Sequence, residues 1–372
     1  MNVNWRYINK QSMINNIIPK SITNKVLMIG NYYKGAAPGG MAAVIRVYND
    51  YYETLKYISS WRDVSKIGKV YYAISAYLRT FILLTINRNI KIVHIHSTSN
   101  ASFYRKARFV RIAKMFKKKV ILHMHSAIFM DFYNNSKNKE YIKKTLLMSD
   151  RLVVLSVSWK EYFNQLCVPE EKITIINNPV ATPKQLEIKK EKTVRMLFLG
   201  ELRERKGVWD ILKALNKHQN EIKSNIEFRI GGNKGEAEIK QYIVDNGLSD
   251  FVKIEGWVSG RKKWELLNWA NLMILPSFAE GLPITLLEAM SYSCALISTP
   301  VGGIPEILEN GTNGIMVTPG NTNEIAQAIL YYINNPQKLI EHGIQSHQKV
   351  EPYLPSTVFK QLTDLYTELL EK

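Results

Sequence analysis

Short apolar runs alternate with longer amphipathic segments along the whole chain, and this alternation starts twice. The helical patterns between the later runs cover residues 207–217, 236–246, 261–270, 283–292, 304–309 and 321–334. The apolar runs predict buried strands at 25–30, 90–96, 118–125, 150–156 and 173–178, and again at 195–200, 226–232, 251–256, 272–276, 295–299 and 314–318. Alternation of this kind predicts parallel sheets joined by crossover helices.

The two series of runs predict two doubly wound α/β domains, in agreement with a length of 372 residues that exceeds the usual size of one core. We expect a first domain at residues 1–180 and a second at 181–355. A helix over 356–372 is expected to close the chain and to pack back toward the first domain. The segment 178–192, with two prolines and a cluster of charges, is the predicted linker.

The excess of positive over negative charge is confined to the first half of the chain. The formal net charge is +18, but residues 1–190 carry 31 Lys and Arg against 10 Asp and Glu, or +21, and the remainder carries 19 against 22. An anionic partner is therefore expected for the first half only. A membrane surface or a phosphorylated substrate fits, whereas nucleic acid is not expected because no nucleic-acid-binding motif accompanies the charge.

Three features of the sequence bear on its location. Cys167 and Cys294 lie 127 positions apart without metal-ligand spacing, which indicates reduced thiols and a cytoplasmic compartment. The first twenty residues lack the apolar core of a signal peptide. The longest apolar stretch, at 71–86, is too short to span a bilayer and includes Arg79. With the basic half, they predict a peripheral protein on the cytoplasmic face of the cell membrane.

The segment FAEGLPITLLEAM (278–290) places two carboxylates around a predicted helix start. Gly281 permits a tight loop after the preceding strand, and Pro283 suits the first helical position. Glu280 can accept hydrogen bonds from a polyol, and Glu288 can reach a vicinal diol such as a ribose from one stripe of the helix. The alternative is that Glu280 only favours the helix dipole and that Glu288 is solvated.

Two further loops follow predicted strands of the second half. GELRERKG (200–207) presents Arg203, Arg205 and Lys206 where a helix begins, and cations beside helix-start amides are typical of a pyrophosphate site. A solvated charged loop is the alternative. IEGWVSG (254–260) places Trp257 after another strand, where its indole can border a nucleobase or belong to the core.

Four motifs, in this order, resemble the retaining GT-B glycosyltransferases of sequence family four. They are G-x-L-x-x-x-K-G at 200–207, G-W-V at 256–258, E-G-x-P-x-x-x-L-E-A-M at 280–290 and G-G-x-P-E at 302–306. The resemblance is dense over 193–335 and looser in the first half. It implies the GT-B fold, in which two Rossmann-like domains face each other across a cleft, with the donor bound mainly by the second and the acceptor by the first.

The resemblance also implies roles for individual residues. Glu201 departs from the family pattern, which usually has arginine there, and Arg203 or Arg205 is expected to supply the missing cation. Glu280 would be a catalytic-site residue that positions the sugar. The implied donor contacts are Glu280, Gly281, Leu282 and Pro283 for the sugar, Glu288 for the ribose, Arg205 and Lys206 for the diphosphate, and Trp257 and Val258 for the base.

In the first half, histidine pairs end two adjacent predicted strands, HIHS (94–97) and HMHS (123–126). Alternation places each pair on one side of its strand. Zinc is not expected, because no carboxylate or cysteine accompanies the pairs at ligand spacing. The resemblance implies that His125 is catalytic, beside the donor sugar, and that Gly39 and Gly40 form a turn at the diphosphate.

The run FYRKARFVRIAKMFKKK (103–119) predicts a basic amphipathic helix with aromatic residues between its cations. Such a helix suits an anionic membrane or an anionic acceptor. A crossover helix with a merely solvated basic face is the alternative, and both can hold at once. The cations assigned to this surface are Arg105, Arg108, Arg111, Lys114 and Lys118.

The sequence and the resemblance together predict a glycosyltransferase that needs neither metal nor cofactor. No Asp-x-Asp element of metal-dependent transferases is present. The expected donor is a UDP- or GDP-linked sugar, and the expected acceptor is a glycan or lipid-linked intermediate in cell-surface polysaccharide assembly. Retention is implied by the resemblance alone. A sugar-nucleotide epimerase of the same architecture and a non-catalytic membrane-bound scaffold are the alternatives.

Overall fold

A computed structural model describes residues 17–34, 40–180 and 193–372. The chain divides into two compact units, one formed by residues up to Pro179 together with Tyr353–Lys372 and the other by Val180–Pro352. This division lies one residue from the boundary expected at 180. Most of the predicted linker, residues 181–192, lies outside the described residues.

The first unit is built on a parallel sheet with helices between its strands. The strands are β1 (Val26–Gly30), β2 (Tyr57–Ser59), β3 (Ile92–Ser97), β4 (Lys119–Met124), β5 (Arg151–Val154) and β6 (Ile173–Ile175). The helices are α1 (Lys20–Thr23), α2 (Gly40–Tyr51), α3 (Lys66–Ile86), α4 (Asn100–Met115), α5 (Phe129–Asn134), α6 (Lys139–Leu147) and α7 (Val157–Gln165). The strand order is β2-β1-β3-β4-β5-β6, so the order reverses between β1 and β3.

The second unit repeats this construction. Its strands are β7 (Val194–Glu201), β8 (Ile226–Asn233), β9 (Val252–Gly256), β10 (Leu272–Leu275), β11 (Ala295–Ser298) and β12 (Gly314–Met316). Its helices are α8 (Val208–Lys217), α9 (Gln219–Ile222), α10 (Glu236–Asp245), α11 (Gly260–Trp269), α12 (Ile284–Ser291), α13 (Thr322–Asn334) and α14 (Pro336–Gln348). The order β12-β11-β10-β7-β8-β9 reverses between β7 and β10.

The predicted class, α/β with two doubly wound parallel sheets, is confirmed. Strands β1, β3, β10 and β11 are buried at every residue, which explains why they appear in the sequence as continuous apolar runs. Strand β2 was not predicted because it has three residues and only Ile58 is buried. The helix expected at 304–309 is wrong, since only a 3-10 turn forms at Ile304–Glu306.

The closing helix, α15 (Pro355–Glu371), belongs to the first unit. Its Tyr366 hydroxyl lies 2.6 Å from the Tyr52 hydroxyl and 2.6 Å from Nδ1 of His94 on β3. Phe359 stacks on Tyr51 with ring centroids 4.7 Å apart. These buried contacts make α15 part of the first unit's core.

Residues 103–119 form the predicted basic helix only in part, and their binding to a membrane or an anionic acceptor stays a prediction. Lys117 has φ of 53°, so α4 ends at Met115 and Lys118 does not lie on the helix. Lys114 is paired with Asp150 at 2.5 Å, and Arg111 lies over the Tyr141 ring at 4.2 Å. The remaining two of the predicted cations differ, because Arg105 is half-buried whereas Arg108 is exposed. Within the described residues, no helix has the length and apolar character of a membrane span.

We predict that Tyr366→Phe lowers the free energy of unfolding of the first unit by about 1–3 kcal/mol, since the change leaves two buried polar partners, Tyr52 and His94, without that hydroxyl. Urea unfolding followed by circular dichroism measures the effect. Tyr331→Phe, at a more exposed tyrosine of α13, is the control and is expected to change stability little. Equal stabilities of the Tyr366→Phe variant and the native protein would contradict the role given to this hydroxyl.

Candidate active site

The carboxyl ends of β7 and β10 bring together the two loops that the sequence analysis singled out. β7 and β10 are neighbours in the sheet, and the strand order reverses between them. Ligands of doubly wound sheets bind in the crevice at such a reversal. The loop after β7 carries Arg205 and Lys206, and the loop after β10 carries Glu280, so these side chains stand where a ligand is expected.

Lys206 and Glu280 form an ion pair at this reversal. Nζ of Lys206 lies 2.5 Å from Oε1 of Glu280, and the Ser277 hydroxyl donates to the same oxygen at 2.7 Å. The Glu280 residue is only 6% exposed. Glu280 is therefore not a solvated charge, although it can still favour the helix dipole. A half-buried cation and a buried carboxylate are adjacent here.

Two glycines allow the loops to approach this closely. Gly207 has φ of 72°, and a Cβ there would lie 2.2 Å from the carbonyl oxygen of Pro276. Gly302 has φ of 56°, and a Cβ there would lie 1.9 Å from the carbonyl oxygen of Glu280. No other residue type fits either position without moving the loop that carries the carboxylate.

The arginines of the β7 loop do not all serve as free cations. Nη1 of Arg205 donates to the carbonyl oxygen of Ala279 at 2.6 Å, which ties the two loops together. Arg203 is exposed, and its Nε lies 3.8 Å from Glu201. Glu201 also pairs with Lys234, a residue that the sequence analysis missed. Burial raises the pKa of Glu201, but Lys234, with Arg203 and Arg205, lowers it overall.

Glu288 has a lysine partner of its own. Glu288 is buried within α12, with 5% of its surface exposed, so the alternative that it is solvated is wrong. It accepts a hydrogen bond from Lys263 of α11. Nζ of Lys263 lies 4.5 Å from the centre of the Trp264 ring, which stacks on Tyr292 at 6.1 Å. Burial, and then Glu288, raise the pKa of Tyr292 to about 12. Lys263 was missed because nothing in the local sequence marks a partner 25 residues away.

Trp257 and Val258, the residues predicted to bind the base, follow β9. This strand lies at the edge of the sheet and is separated from β7 by β8. Trp257 is 39% exposed, whereas Val258 is buried against Gly231. The indole is therefore not a core residue. Its contact with a base stays a prediction. Leu282 and Pro283 are buried beside Glu280, and α12 begins at Ile284.

In the first unit, four histidine rings lie together at the carboxyl ends of β3 and β4. His96 lies opposite His123 in the strand register. His94 and His123 are joined through Nε2 and Nδ1 at 3.2 Å, and His96 and His125 through Nδ1 and Nε2 at 2.8 Å. Burial, and then the neighbouring His125, lower the pKa of His94 to about 3. Burial also lowers the pKa of His125 to about 3, although a hydrogen bond with Asn178 raises it in opposition. The four rings are neutral at neutral pH.

Within the described residues, ring nitrogens of His94, His96 and His123 all lie within 4.8 Å of one another. A metal ion needs lone pairs that converge on one point. These rings are instead stacked, with interplanar angles of 15°, 16° and 29°, and His94 and His123 already bond each other. The arrangement fits a hydrogen-bonded stack better than a ligand set, and the absence of a metal requirement stays a prediction.

The predicted glycine turn is only partly described. Gly40 begins α2 and is exposed. Gly39 lies outside the described residues. A buried lysine of α4, Lys106, donates to the Ser60 hydroxyl at the carboxyl end of this sheet, and the sequence analysis missed it because its neighbours suggested a solvated basic face.

Two family models match adjoining parts of the chain. Residues 181–349 match glycosyl transferases group 1, and residues 52–183 match glycosyltransferase family 4. The chain is a group 1 glycosyltransferase. The first match covers the unit with the Lys206–Glu280 and Lys263–Glu288 pairs, and the second covers most of the histidine-bearing unit.

Curated relatives agree with this assignment. The amylovoran biosynthesis glycosyltransferase AmsK of Erwinia amylovora is 23% identical over 71% of this chain and 67% of its own length. The 2-deoxystreptamine N-acetyl-D-glucosaminyltransferase of Niallia circulans is 24% identical over 75% of this chain and 76% of its own. The non-catalytic scaffold considered above is therefore wrong: the protein is an enzyme of the glycosyltransferase class.

Solved structures share the fold at low sequence identity. HepE from Anabaena, in complex with UDP-glucose, superposes with a TM-score of 0.70 at 16% identity and covers 92% of this chain and 99% of its own. Sucrose-phosphate synthase from Thermosynechococcus elongatus gives a TM-score of 0.73 at 14% identity, covering 93% and 99%. These similarities establish the GT-B fold.

We predict that Lys206→Met lowers the free energy of unfolding of the second unit by about 3 kcal/mol, because Glu280 is left as a buried charge without its cation. The double variant Lys206→Met/Glu280→Gln is expected to recover most of the loss. Denaturant unfolding measures both, with Lys240→Met on the exposed side of α10 as the control. A double variant as unstable as the single one would show that the two side chains are not coupled.

We predict that the first unit loses stability as the pH falls from about 6.5 toward 3. The unfolded chain binds protons on His94 and His125 in this range, whereas the folded chain holds both neutral. Their contribution is complete above pH 6.5 and is lost at up to about 1.4 kcal/mol per pH unit for each ring. Urea unfolding at pH 7.5, 6 and 5 tests this, and a pH dependence that is unchanged in His94→Gln would contradict it.

Proposed function

We propose that this glycosyltransferase takes its sugar from a nucleoside-diphosphate sugar bound by the second unit. The observation that carries the proposal is the pairing of Lys206 with the buried Glu280 at the reversal of strand order between β7 and β10. A diphosphate leaving group needs a cation, and the sugar hydroxyls need a fixed acceptor. HepE structures with UDP, with UDP and glucose, and with UDP-glucose support a uridine nucleotide, and GDP is the alternative.

In this proposal each pair holds a different part of the donor. Lys206 neutralises the diphosphate, with Arg205 fixing the loop that carries Glu280. Glu280 then accepts hydrogen bonds from the sugar beside Gly281, Leu282 and Pro283. Glu288 accepts hydrogen bonds from the ribose hydroxyls, with Lys263 orienting its carboxylate. Trp257 and Val258 border the base.

The departure at Glu201 does not weaken this proposal. Glu201 stands where the family usually has arginine, and an unpaired carboxylate there would repel a diphosphate. Lys234 and Arg203 neutralise it instead. Glu201 is thus paired and adds no free negative charge beside Lys206.

For the acceptor, we propose a glycan or lipid-linked intermediate of a cell-surface polysaccharide, held by the first unit. The +21 charge of residues 1–190 favours an acceptor that carries phosphate. The relative AmsK is an amylovoran biosynthesis glycosyltransferase, which supports an acceptor from polysaccharide biosynthesis. With such an acceptor, the enzyme would act at the cytoplasmic face of an anionic membrane.

The proposed reaction needs no metal or further cofactor. The anomeric carbon–oxygen bond to the diphosphate breaks, the acceptor oxygen bonds the anomeric carbon, and the products are the glycosylated acceptor, the nucleoside diphosphate and a proton. Retention of configuration is proposed from the motif resemblance, as is a catalytic role of His125 and a diphosphate contact of Gly39 and Gly40. Lys206 would take the charge-stabilising role that a metal has in other transferases.

We predict that Lys206→Ala and Glu280→Ala each lower turnover of the native donor at least about 100-fold, because the leaving-group charge or the sugar position is lost. A panel of UDP- and GDP-sugars is screened for nucleoside diphosphate release, with EDTA expected to have no effect. Lys240→Ala and Glu238→Ala, on the exposed side of α10, are matched controls.

Unchanged turnover in both site variants would contradict the proposed donor site. Conversion of the nucleotide sugar into its epimer, without release of the nucleoside diphosphate, would identify the epimerase instead. Loss of activity in EDTA that returns with a divalent cation would contradict the metal-independent mechanism.

A further inference from the structure

Helix α3 exposes an unusual number of large apolar side chains for one element. Their exposed fractions range from 45% at Phe81 to 83% at Ile67. We call this set the outer face of α3, and it consists of Ile67, Val70, Tyr71, Ile74, Leu78, Phe81, Ile82 and Ile86. Contiguous exposed apolar surface of this kind marks an interaction site.

The outer face is one continuous stripe. Its members recur at intervals of one, three and four residues, the spacing that keeps side chains on one side of a helix. The helix has 21 residues and is therefore about 31 Å long. Ala76, Thr80 and Leu84 form the opposite, buried side. α3 is thus largely apolar all around, with one side packed on the unit and the other left to solvent.

The surroundings of the stripe are predominantly basic, although Asp63 pairs with Lys69 in the first turn of α3. Residues 64–130 contain 13 Lys and Arg and no Asp or Glu. Phe81 packs edge to face on Phe116 at 5.1 Å, which places the exposed Lys117 close to one end of the stripe. Burial, and then the nearby charge of Lys91, lower the pKa of Lys118, so these two lysines lie close together. Arg88 is exposed in the loop that follows the helix.

This charge decides between two kinds of occupant. A second copy of the chain would bring its own outer face and its own cations against these, and like charges would repel. An anionic bilayer offers an apolar boundary for the stripe and negative headgroups for the cations. The charge therefore favours lipid over self-association.

We propose that α3 lies flat in the surface of an anionic bilayer, with its outer face buried at the headgroup–acyl boundary and the exposed Arg88, Lys91 and Lys117 on the headgroups. The surface is α3, not the basic side of α4 that the sequence favoured. This docking needs no donor and no glycosyl transfer, so it stands apart from the proposed reaction.

The test is vesicle flotation of the full chain without nucleotide sugar. Vesicles of phosphatidylcholine alone are compared with vesicles that also contain about 30% phosphatidylglycerol. The native protein is expected to float with the anionic vesicles and to be released by salt. Val70→Glu and Leu78→Glu are expected to lower the apparent affinity about tenfold each. Lys91→Gln is expected to lower it about fivefold.

The chain offers matched controls for both changes. Val244 of α10 is 60% exposed against 58% for Val70, so Val244→Glu makes the same substitution on a helix outside the proposed surface. Lys240→Gln is the equivalent control for Lys91→Gln. Both controls are expected to float as the native protein does, and an unchanged thermal unfolding midpoint shows that each variant is folded.

Three outcomes would overturn the proposal. In the first, the native protein stays unbound with both kinds of vesicle. In the second, the α3 variants bind as tightly as the Val244→Glu control. In the third, light scattering finds a dimer that Val70→Glu dissociates without lipid, which would make a second copy the occupant. Since turnover is measured separately, none of these results depends on whether the proposed donor chemistry is correct.

Discussion

A pair of opposite charges at the carboxyl edge of the second sheet sets the arrangement of the proposed donor site. Lys206 and Glu280 come from loops 74 residues apart, yet they meet at 2.5 Å because β7 and β10 are neighbours. Burying either charge alone would cost several kcal/mol, so the pair fixes both loops at once. Gly207 and Gly302 permit this close approach, because a Cβ at either position would collide with the backbone of the loop that carries Glu280.

The same principle recurs through the second unit. Glu288 is paired with Lys263, and Glu201 is paired with Lys234, so these carboxylates, like Glu280, each have a lysine from a different element. An adjacent ammonium offsets the cost of burying a carboxylate and does so without a metal. The lysines therefore hold these carboxylates in place at the edge of the second sheet.

Sequence reasoning predicted what is local and missed what depends on contacts between elements. The parallel strands were predicted because burial on both faces makes them apolar runs, and Lys206, Glu280 and Glu288 because they stand at strand ends or helix starts. Lys263 and Lys234 were missed, since pairing across the fold leaves no periodic trace. The basic side of α4 was misjudged because Asp150 and Tyr141 engage its cations. A helix that is apolar on all sides is usually buried, so the sequence pattern did not reveal that one side of α3 is exposed.

The contact between Tyr366 and His94 joins residues separated by 272 positions. During synthesis, the strands of the first unit emerge well before α15, the helix that completes their core, because the whole second unit is translated between them. The second unit can therefore reach its native state sooner, since all of its residues precede α15. On the ribosome, the first unit keeps β3 and its histidines uncovered until α15 has emerged, so it depends on a chaperone during that interval.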